Sequence, residues 1–533
     1  MSESAGPAGS SKEEMRNLLS KNFLVQVISK VFYLVTRVGL PPIILSYVTL
    51  EEYGIWSTCF ILIGYLGMST FGISGVYVRY VAEYHARAEV DRISRLLSTG
   101  LSVTTILSGV LLIGLWFVLP AILVLLNVPV NLRAQGFVLL YATAATFMLD
   151  MTFGAFANVL HGLQQVAQQT LVWVVSFCLE AVLIVVLLYN GFGLYALLLA
   201  FAARYVLSTI AQVMLCFRAL PGLRLNPRLF DRSCLRLFLG YGVTVQVAGL
   251  LSMFLYSIEK VIAGAVIGVQ ATGLFDIGEK LPVMASQITA SMTATFMPAI
   301  PYLVSLGQHE QISRLYLKGS RYMNILSGVI LGFMCAFAAP LLALWLGPGD
   351  QYRSAPLIMA LFAVPYQLHE LTGPASAYHR ATQARRELVF QLTQLALVVV
   401  AVGAGFALAG RTVIVIALGV AGAMSSSALI YIFYSNRFVS LSWRTYTAKV
   451  LAPGALPYAL GFGLAWLARP LLAWAGSQRW NLAGVLGLCG VLYLVAAGSC
   501  LYWLMCEAGE RSYLRLQLVH TFGGFWRALR GKD

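Results

Sequence analysis

Four cations, Lys30, Arg37, Lys260 and Lys280, interrupt long apolar runs of the chain. A charge near the centre of a bilayer costs at least about 2.5–3.5 kcal/mol to insert, so each must be paired, hydrated or turned toward a polar cavity. Lys30 and Arg37 stand two helical turns apart, roughly 10 Å along one helix face. A cationic strip of that length suits a diphosphate, with arginine offering a two-pronged fork and lysine a mobile point charge. The competing account has Lys30 snorkelling toward the headgroups and Arg37 hydrogen-bonded to carbonyls loosened near Pro41 and Pro42. Lys280 precedes Leu281-Pro282 and follows Asp276 by one turn, a spacing that permits an internal ion pair. If the two pair, little net charge is left for a solute; if Asp276 faces elsewhere, Lys280 joins Lys30 and Arg37 as an anion-binding cation. Lys260, near the outer end of its run, is the fourth candidate for such a cationic cavity.

Asp150, Glu180 and Arg204 form a second constellation near mid-depth of three consecutive apolar runs. They read either as a buried ion-pair cluster locking three helices or as a proton or sodium site whose carboxylates exchange partners. One arginine neutralises one carboxylate, so in the second reading the other is protonated or ion-coupled. His369 and Glu370 are a further ionisable pair in apolar surroundings, read first as packed hydrogen-bonders. Trp345, Trp474 and Trp480 lie at run ends, where interfacial belt residues belong. Cys59, Cys178, Cys216, Cys234, Cys335, Cys489, Cys500 and Cys506 lack metal-ligand spacing and read as small hydrophobes. The chain shows no nucleotide or metal motif, so neither cofactor nor metal is expected.

The elements that must hold these residues are membrane spans. Of 533 residues, 59% are apolar and 11% charged, a balance suited to a bilayer rather than to water. Runs of roughly 20 apolar residues recur, each long enough to cross as a helix, and lipid excludes open strands because it cannot satisfy backbone groups. The expected fold is therefore all-α and polytopic, with about fourteen transmembrane helices. Lys30 and Arg37 fall on the first span (23–47), and Asp150, Glu180 and Arg204 on the fourth, fifth and sixth (136–160, 170–188, 193–217). Lys260 ends the seventh (237–261) and Lys280 lies in the eighth (273–300). Thr49-Leu50-Glu51-Glu52 has the form of a capping box that starts the second span.

Most of the 36 Lys and Arg fall in the tails and alternate loops, which places both termini in the cytoplasm. The net charge of +15 then reports topology and attraction to anionic lipid, not nucleic acid. Residues 1–20 are polar and read as a cytoplasmic tail, with no secretory signal expected there. Residues 507–533 mix apolar and basic residues as a helix lying in the headgroup layer does, or as a cytoplasmic docking surface does.

Two weak internal matches share nearly one offset. Tyr53-Gly54-Ile55-Trp56 resembles Thr272-Gly273-Leu274-Phe275, and the His161/Gln165 turn resembles the His379/Gln383 turn. They point to two parallel six-helix repeats, an N-lobe at 21–217 and a C-lobe at 237–436, joined by a basic cytoplasmic linker at 218–236. Two extra helices follow at 437–506. Parallel repeats form two lobes around a central cavity, and rocking of the lobes exposes that cavity to each face in turn.

The run Leu50-Glu51-Glu52-Tyr53-Gly54-Ile55-Trp56, then Ile63-Gly64-Tyr65-Leu66 and Val78-Arg79-Tyr80-Val81-Ala82-Glu83-Tyr84, resembles the second-span region of the polysaccharide-transport flippases. That family belongs to the multidrug/oligosaccharidyl-lipid/polysaccharide exporter superfamily. Glu259-Lys260-Val261-Ile262-Ala263-Gly264, Gly273-Leu274-Phe275 and Glu279-Lys280-Leu281 look like its seventh-to-eighth span junction, although Glu279 replaces a small residue and Glu259 the more usual aspartate. The resemblance implies flipping of undecaprenyl-diphosphate-linked oligosaccharide, an O-antigen or exopolysaccharide repeat unit, across the bacterial inner membrane from cytoplasmic to periplasmic leaflet. It also implies a pathway with glycosyltransferase or polymerase partners.

Two other transport readings stay open: a cation-coupled drug exporter of the same fold, which needs an acidic cavity, and a polysaccharide export-channel subunit. A membrane enzyme is not expected. It would need positioned acids, bases or nucleophiles at the interface, and the expected periplasmic loops are short.

Overall fold

In the computed structural model the apolar runs fold as helices, and all regular structure among the described residues is helical. The structure describes residues 32–67, 73–239, 250–383, 385–476 and 478–505. Lys30, the tails at 1–20 and 507–533, Cys506 and the early part of the seventh span lie outside them. The chain divides into two compact units. One holds Met1–Lys280 and Ala384–Val420, the other Leu281–Gln383 and Ala421–Asp533.

The first unit begins with α1 (Phe32–Leu45) and α2 (Leu50–Gly67). The capping box expected at Thr49 is formed. Thr49 N–H donates to Glu52 Oε2 at 2.8 Å and Glu52 N–H donates to Thr49 Oγ1 at 3.2 Å, which satisfies two of the donors a helix start leaves orphaned and stabilises it by about 1 kcal/mol. Then come α3 (Ile73–Ala86), α4 (Val90–Leu125), α5 (Val130–Phe153), α6 (Ala155–Gly162), α7 (Val166–Tyr189) and α8 (Leu194–Ala219). α5 and α6 together form the fourth span expected from the sequence, one membrane-length stretch from Val130 to Gly162, with a turn at Gly154 whose N–H donates to Asp150 O at 2.6 Å. α9 (Arg232–Leu239) and α10 (Ile258–Val266) follow, then α11 (Val269–Ser305), which runs from the first unit into the second. α3, α4 and α6 bury a common core that includes Tyr77, Val81, Ile93, Leu97 and Phe156.

The second unit contains α12 (His309–Ala336) and α13 (Ala338–Leu346), bent by 75° where they meet, then α14 (Ala355–Glu370) and α15 (Thr372–Thr382). α16 (Arg385–Ala409) belongs to the first unit, and α17 (Val413–Asn436) runs from the first into the second. α18 (Trp443–Leu467), α19 (Arg469–Ala475) and α20 (Arg479–Trp503) complete the chain. A π-helical turn at Thr447–Leu451 widens α18, and the Val450 carbonyl accepts from Asn324 Nδ2 at 2.7 Å. Gln367 Nε2 in turn donates to Asn324 Oδ1 at 2.6 Å and to Gly454 O at 3.1 Å. Buried polar groups are thereby satisfied inside an apolar helix bundle, as they must be.

Among the described residues, eight helices are individually long and apolar enough to cross a bilayer, and the α12–α13 pair makes a ninth. α1, α2, α11 and the α14–α15 pair occupy the first, second, eighth and tenth spans read from the sequence. The long helices turn apolar faces outward, Phe117 of α4 being 75% exposed, Leu408 of α16 87% and Trp480 of α20 90%, surface that lipid covers and water would not. The protein is an all-α polytopic membrane protein.

Candidate functional site

Several charged residues of the first unit, among them Glu180, Arg204, Glu259 and Glu279, lie in its interior. α2 and α11 cross with their backbones in contact at Gly54 and Gly273, where a Cβ on Gly54 would strike the Val269 carbonyl. That approach brings Tyr53 onto the face of α11 that carries Asp276. Tyr53 Oη donates to Asp276 Oδ2 at 2.9 Å, Lys280 Nζ donates to the same oxygen at 2.8 Å, and Lys260 Nζ donates to Oδ1 at 3.3 Å. Lys260 is also 3.6 Å from Glu279 Oε2, and Thr272 Oγ1 donates to the Lys260 carbonyl at 3.1 Å, tying α10 to α11. Glu279 and Glu259 are fully buried, and their carboxyls lie against one another.

Of the two arrangements left open for Asp276, the paired one is found. Lys280 is not an isolated cation, and Lys260 shares its partner. One carboxylate thus holds two ammonium groups, with side-chain exposures of 14% for Lys260 and 19% for Lys280. A recess of about 140 Å³, lined by Thr58, Leu62, Tyr65, Ile122, Leu126 and other apolar side chains, ends at Lys260.

Arg37 has a different environment. Its guanidinium carbon lies 5.1 Å from the Phe60 ring centre, 5.5 Å from Tyr33 and 5.6 Å from Phe177. Among the described residues its buried Nε has no hydrogen-bond partner and no carboxylate pairs with it. The structural alternative, a hydrogen bond to carbonyls near Pro41 and Pro42, is not formed. Aromatic faces offset part of the desolvation of a guanidinium, and among the described residues no carboxylate compensates its charge. Arg37 is also within electrostatic range of Lys280. Its companion on the expected strip, Lys30, lies outside the described residues.

Glu180 and Arg204 form a buried pair, Arg204 Nε standing 3.1 Å from Glu180 Oε2 with side-chain exposures of 7% and 4%. The approach is a charge contact rather than an aligned hydrogen bond, since that Nε makes none. The guanidinium is also stacked, 4.0 Å from the Tyr205 ring centre and 4.3 Å from Phe177. Phe177 is thus shared as a neighbour by Arg37 and Arg204. Asp150 is near enough to Arg204 to feel its charge but is in no ion pair among the described residues, so the three residues do not close into one cluster. In the second unit, Glu370 is 8% exposed, near the Thr289 and Ser327 hydroxyls and Tyr458.

Sequence reasoning missed Tyr53 as a ligand of Asp276 and the ring of Tyr33, Phe60, Phe177 and Tyr205 around the arginines. The Gly54 and Gly273 match was the one available signal for the first. For the second there was none, because aromatics are frequent in every span.

Residues 19–304 match the model of a family described as polysaccharide biosynthesis protein. The chain belongs to that family. The match runs from the first span through α11, so it covers Arg37, Asp150, Glu180, Arg204, Lys260, Asp276 and Lys280. In fold this family member is similar to an inward-facing multidrug-resistance MATE-family transporter of the MOP superfamily, with a TM-score of 0.61, 15% identity, and coverage of 77% of this chain and 94% of that one. It is also similar to the lipid II flippase MurJ in an inward closed conformation, with a TM-score of 0.60, 13% identity and coverage of 90% and 98%. A MOP superfamily transporter from Pyrococcus furiosus, described as having a binding pocket of reverse polarity, aligns with a TM-score of 0.50, 15% identity and coverage of 79% and 94%. At such identities the likeness is one of fold. Comparison with curated protein sequences finds no match.

Proposed function

We propose that this polysaccharide biosynthesis family member flips undecaprenyl-diphosphate-linked oligosaccharide from the cytoplasmic to the periplasmic leaflet of the bacterial inner membrane by alternating access, with both termini cytoplasmic. The observation that carries the reading is Arg37, a cation inside the first unit that stacks on aromatic rings and has no carboxylate partner among the described residues. A half-buried guanidinium with no carboxylate partner among the described residues attracts a polyanion more strongly than a fully exposed one, because less water and salt screen it. Its fork matches two phosphate oxygens.

Lys260 and Lys280 are the second part of the mechanism. A diphosphate competes with Asp276 for both ammonium groups, so its arrival frees the carboxylate and its departure restores the network. Lys30, two turns from Arg37 on the expected strip, extends the same path. The N-lobe (21–217) and C-lobe (237–436) are the two bodies whose rocking passes the headgroup across, and polymerising or glycosyl-transferring enzymes supply and consume the substrate.

The test is replacement of Arg37 by Ala in a strain that depends on the protein. Surface polysaccharide should be lost while the protein remains in the membrane at normal abundance; normal polymer would overturn the reading. A cation-coupled exporter is the second reading, favoured by Asp150, an interior carboxylate outside any ion pair among the described residues. Dye efflux that disappears in Asp150→Asn while Arg37→Ala transports normally would select it.

A further inference from the structure

The segment after α8 is strapped to α4 by hydroxyl groups. Ser94 Oγ accepts from the Arg224 N–H at 3.1 Å, Ser98 Oγ from the Asn226 N–H at 3.3 Å, and Thr99 Oγ1 from the Asp231 N–H at 2.9 Å. Asn226 Oδ1 then accepts from the Arg228 N–H at 2.9 Å, and Asp231 Oδ1 from Ser233 N–H at 2.8 Å and Ser233 Oγ at 2.7 Å. The strap stands off from α4 below these bonds and leaves an open groove of about 530 Å³, lined by Leu101, Ser102, Thr105, Ile106, Leu225 and Phe230 among others. That volume lies within the ~300–1,000 Å³ of sites that take small organic ligands.

The groove has a polar and an apolar end. Arg95 stands on the turn of α4 beside the strap, and Arg224 and Arg228 flank the groove-lining Leu225-Asn226-Pro227. All three are exposed, and no carboxylate among the described residues forms an ion pair with them. Their neighbour Asp231 is held by Ser233, whose two hydrogen bonds keep its carboxyl below the usual range, with a smaller contribution from the charge of Arg95. From Arg95 to Ile106 the α4 axis descends roughly 16 Å. Hydroxyls of Ser102 and Thr105 come between, and Ile106, 67% exposed, and Phe230, 42% exposed, border the apolar end. Phosphate, ester and hydrocarbon follow in that order along an anionic phospholipid.

We propose that this groove is a binding site for one anionic phospholipid of the bilayer, its phosphate on Arg95, Arg224 and Arg228 and an acyl chain between α4 and the strap. The site is separate from Arg37 and the Asp276 network and does not depend on what the chain transports. A headgroup without net charge lacks the attraction, and a free phosphate lacks the chain that fills the groove. Basic residues next to a bilayer attract anionic lipid by about fivefold in affinity each.

The experiment is native mass spectrometry of the full chain, delipidated in detergent and titrated with phosphatidylglycerol or phosphatidylcholine of matched chains. Phosphatidylglycerol should saturate at one tightly held molecule per protein, phosphatidylcholine should bind at least tenfold more weakly, and inorganic phosphate at millimolar concentration should not displace the bound lipid. Arg224→Gln/Arg228→Gln should weaken the phosphatidylglycerol site more than tenfold, and Ile106→Trp, which fills the groove while leaving every charge, should remove it. Both variants should melt with the parent in lipid-free detergent. Equal retention of the two lipids by the parent protein, or unchanged phosphatidylglycerol binding in both variants, overturns the proposal. Displacement by inorganic phosphate also overturns it, since the site then reads phosphate alone.

Discussion

Gly273 stands so close to Gly54 that a methyl group added to it would lie 3.2 Å from the Gly54 Cα and 2.9 Å from the Leu50 carbonyl oxygen. α2 and α11 therefore touch backbone to backbone, one turn from Asp276. Small residues are what permits such an approach between membrane helices. Gly273→Ala should push the helices apart, cost about 1–3 kcal/mol and weaken the Tyr53–Asp276 bond as well. A melting curve in detergent measures the first effect. A transport loss larger than that of an equally destabilised variant elsewhere measures the second.

Tyr53→Phe removes one donor to the Asp276 carboxylate and leaves the ring in place. A hydrogen bond to a charged group contributes about 1.5–3 kcal/mol, and thermal unfolding should show a loss of that size. No measurable loss would mean that Tyr53 and Asp276 are not bonded in the native protein.

Asp276→Asn leaves Lys260 and Lys280 without their shared carboxylate, and breaking a buried pair by removing one partner costs about 3–5 kcal/mol. Lys280→Met on top of it takes away one of the stranded charges. The double variant should thus be more stable than the two single losses add up to, by a coupling of about 0.5–3 kcal/mol. Strict additivity, measured by denaturation of all four proteins, would contradict the network.

Arg37→Lys separates charge from shape. Lysine keeps the cation but loses the planar stack on Phe60 and Tyr33 and the two-pronged fork. If a diphosphate is recognised there, transport should fall by more than tenfold while melting shifts little, and Arg37→Ala should fall further. Equal transport by Arg37→Lys and the parent would show that position needs charge alone.

Asn324→Ala tests the second unit. It strands the Val450 carbonyl at the π-helical turn and takes an acceptor from Gln367, so destabilisation of about 1–3 kcal/mol is expected. Hydrogen exchange should rise first around residues 447–454, since the turn loses the side chain that satisfies it.

The sequence by itself determined whatever depends on neighbours along one helix. The spans follow from apolar runs matched to bilayer thickness, the Thr49–Glu52 cap from its spacing, and the one-turn separation that lets Lys280 reach Asp276 from helix geometry, although whether the two pair was left to the structure. In each case the backbone geometry of a helix fixes the distance before any packing occurs. Tertiary structure decided the rest: that Lys260 and Tyr53 converge on Asp276, that Arg204 chooses Glu180 over Asp150, that Arg37 rests on rings rather than carbonyls, and that the strap after α8 lies on Ser94, Ser98 and Thr99. Those contacts depend on crossing angles and on where two backbones can approach, as at Gly54 and Gly273. Side chains from several helices set these together, so no periodicity within a single run encodes them.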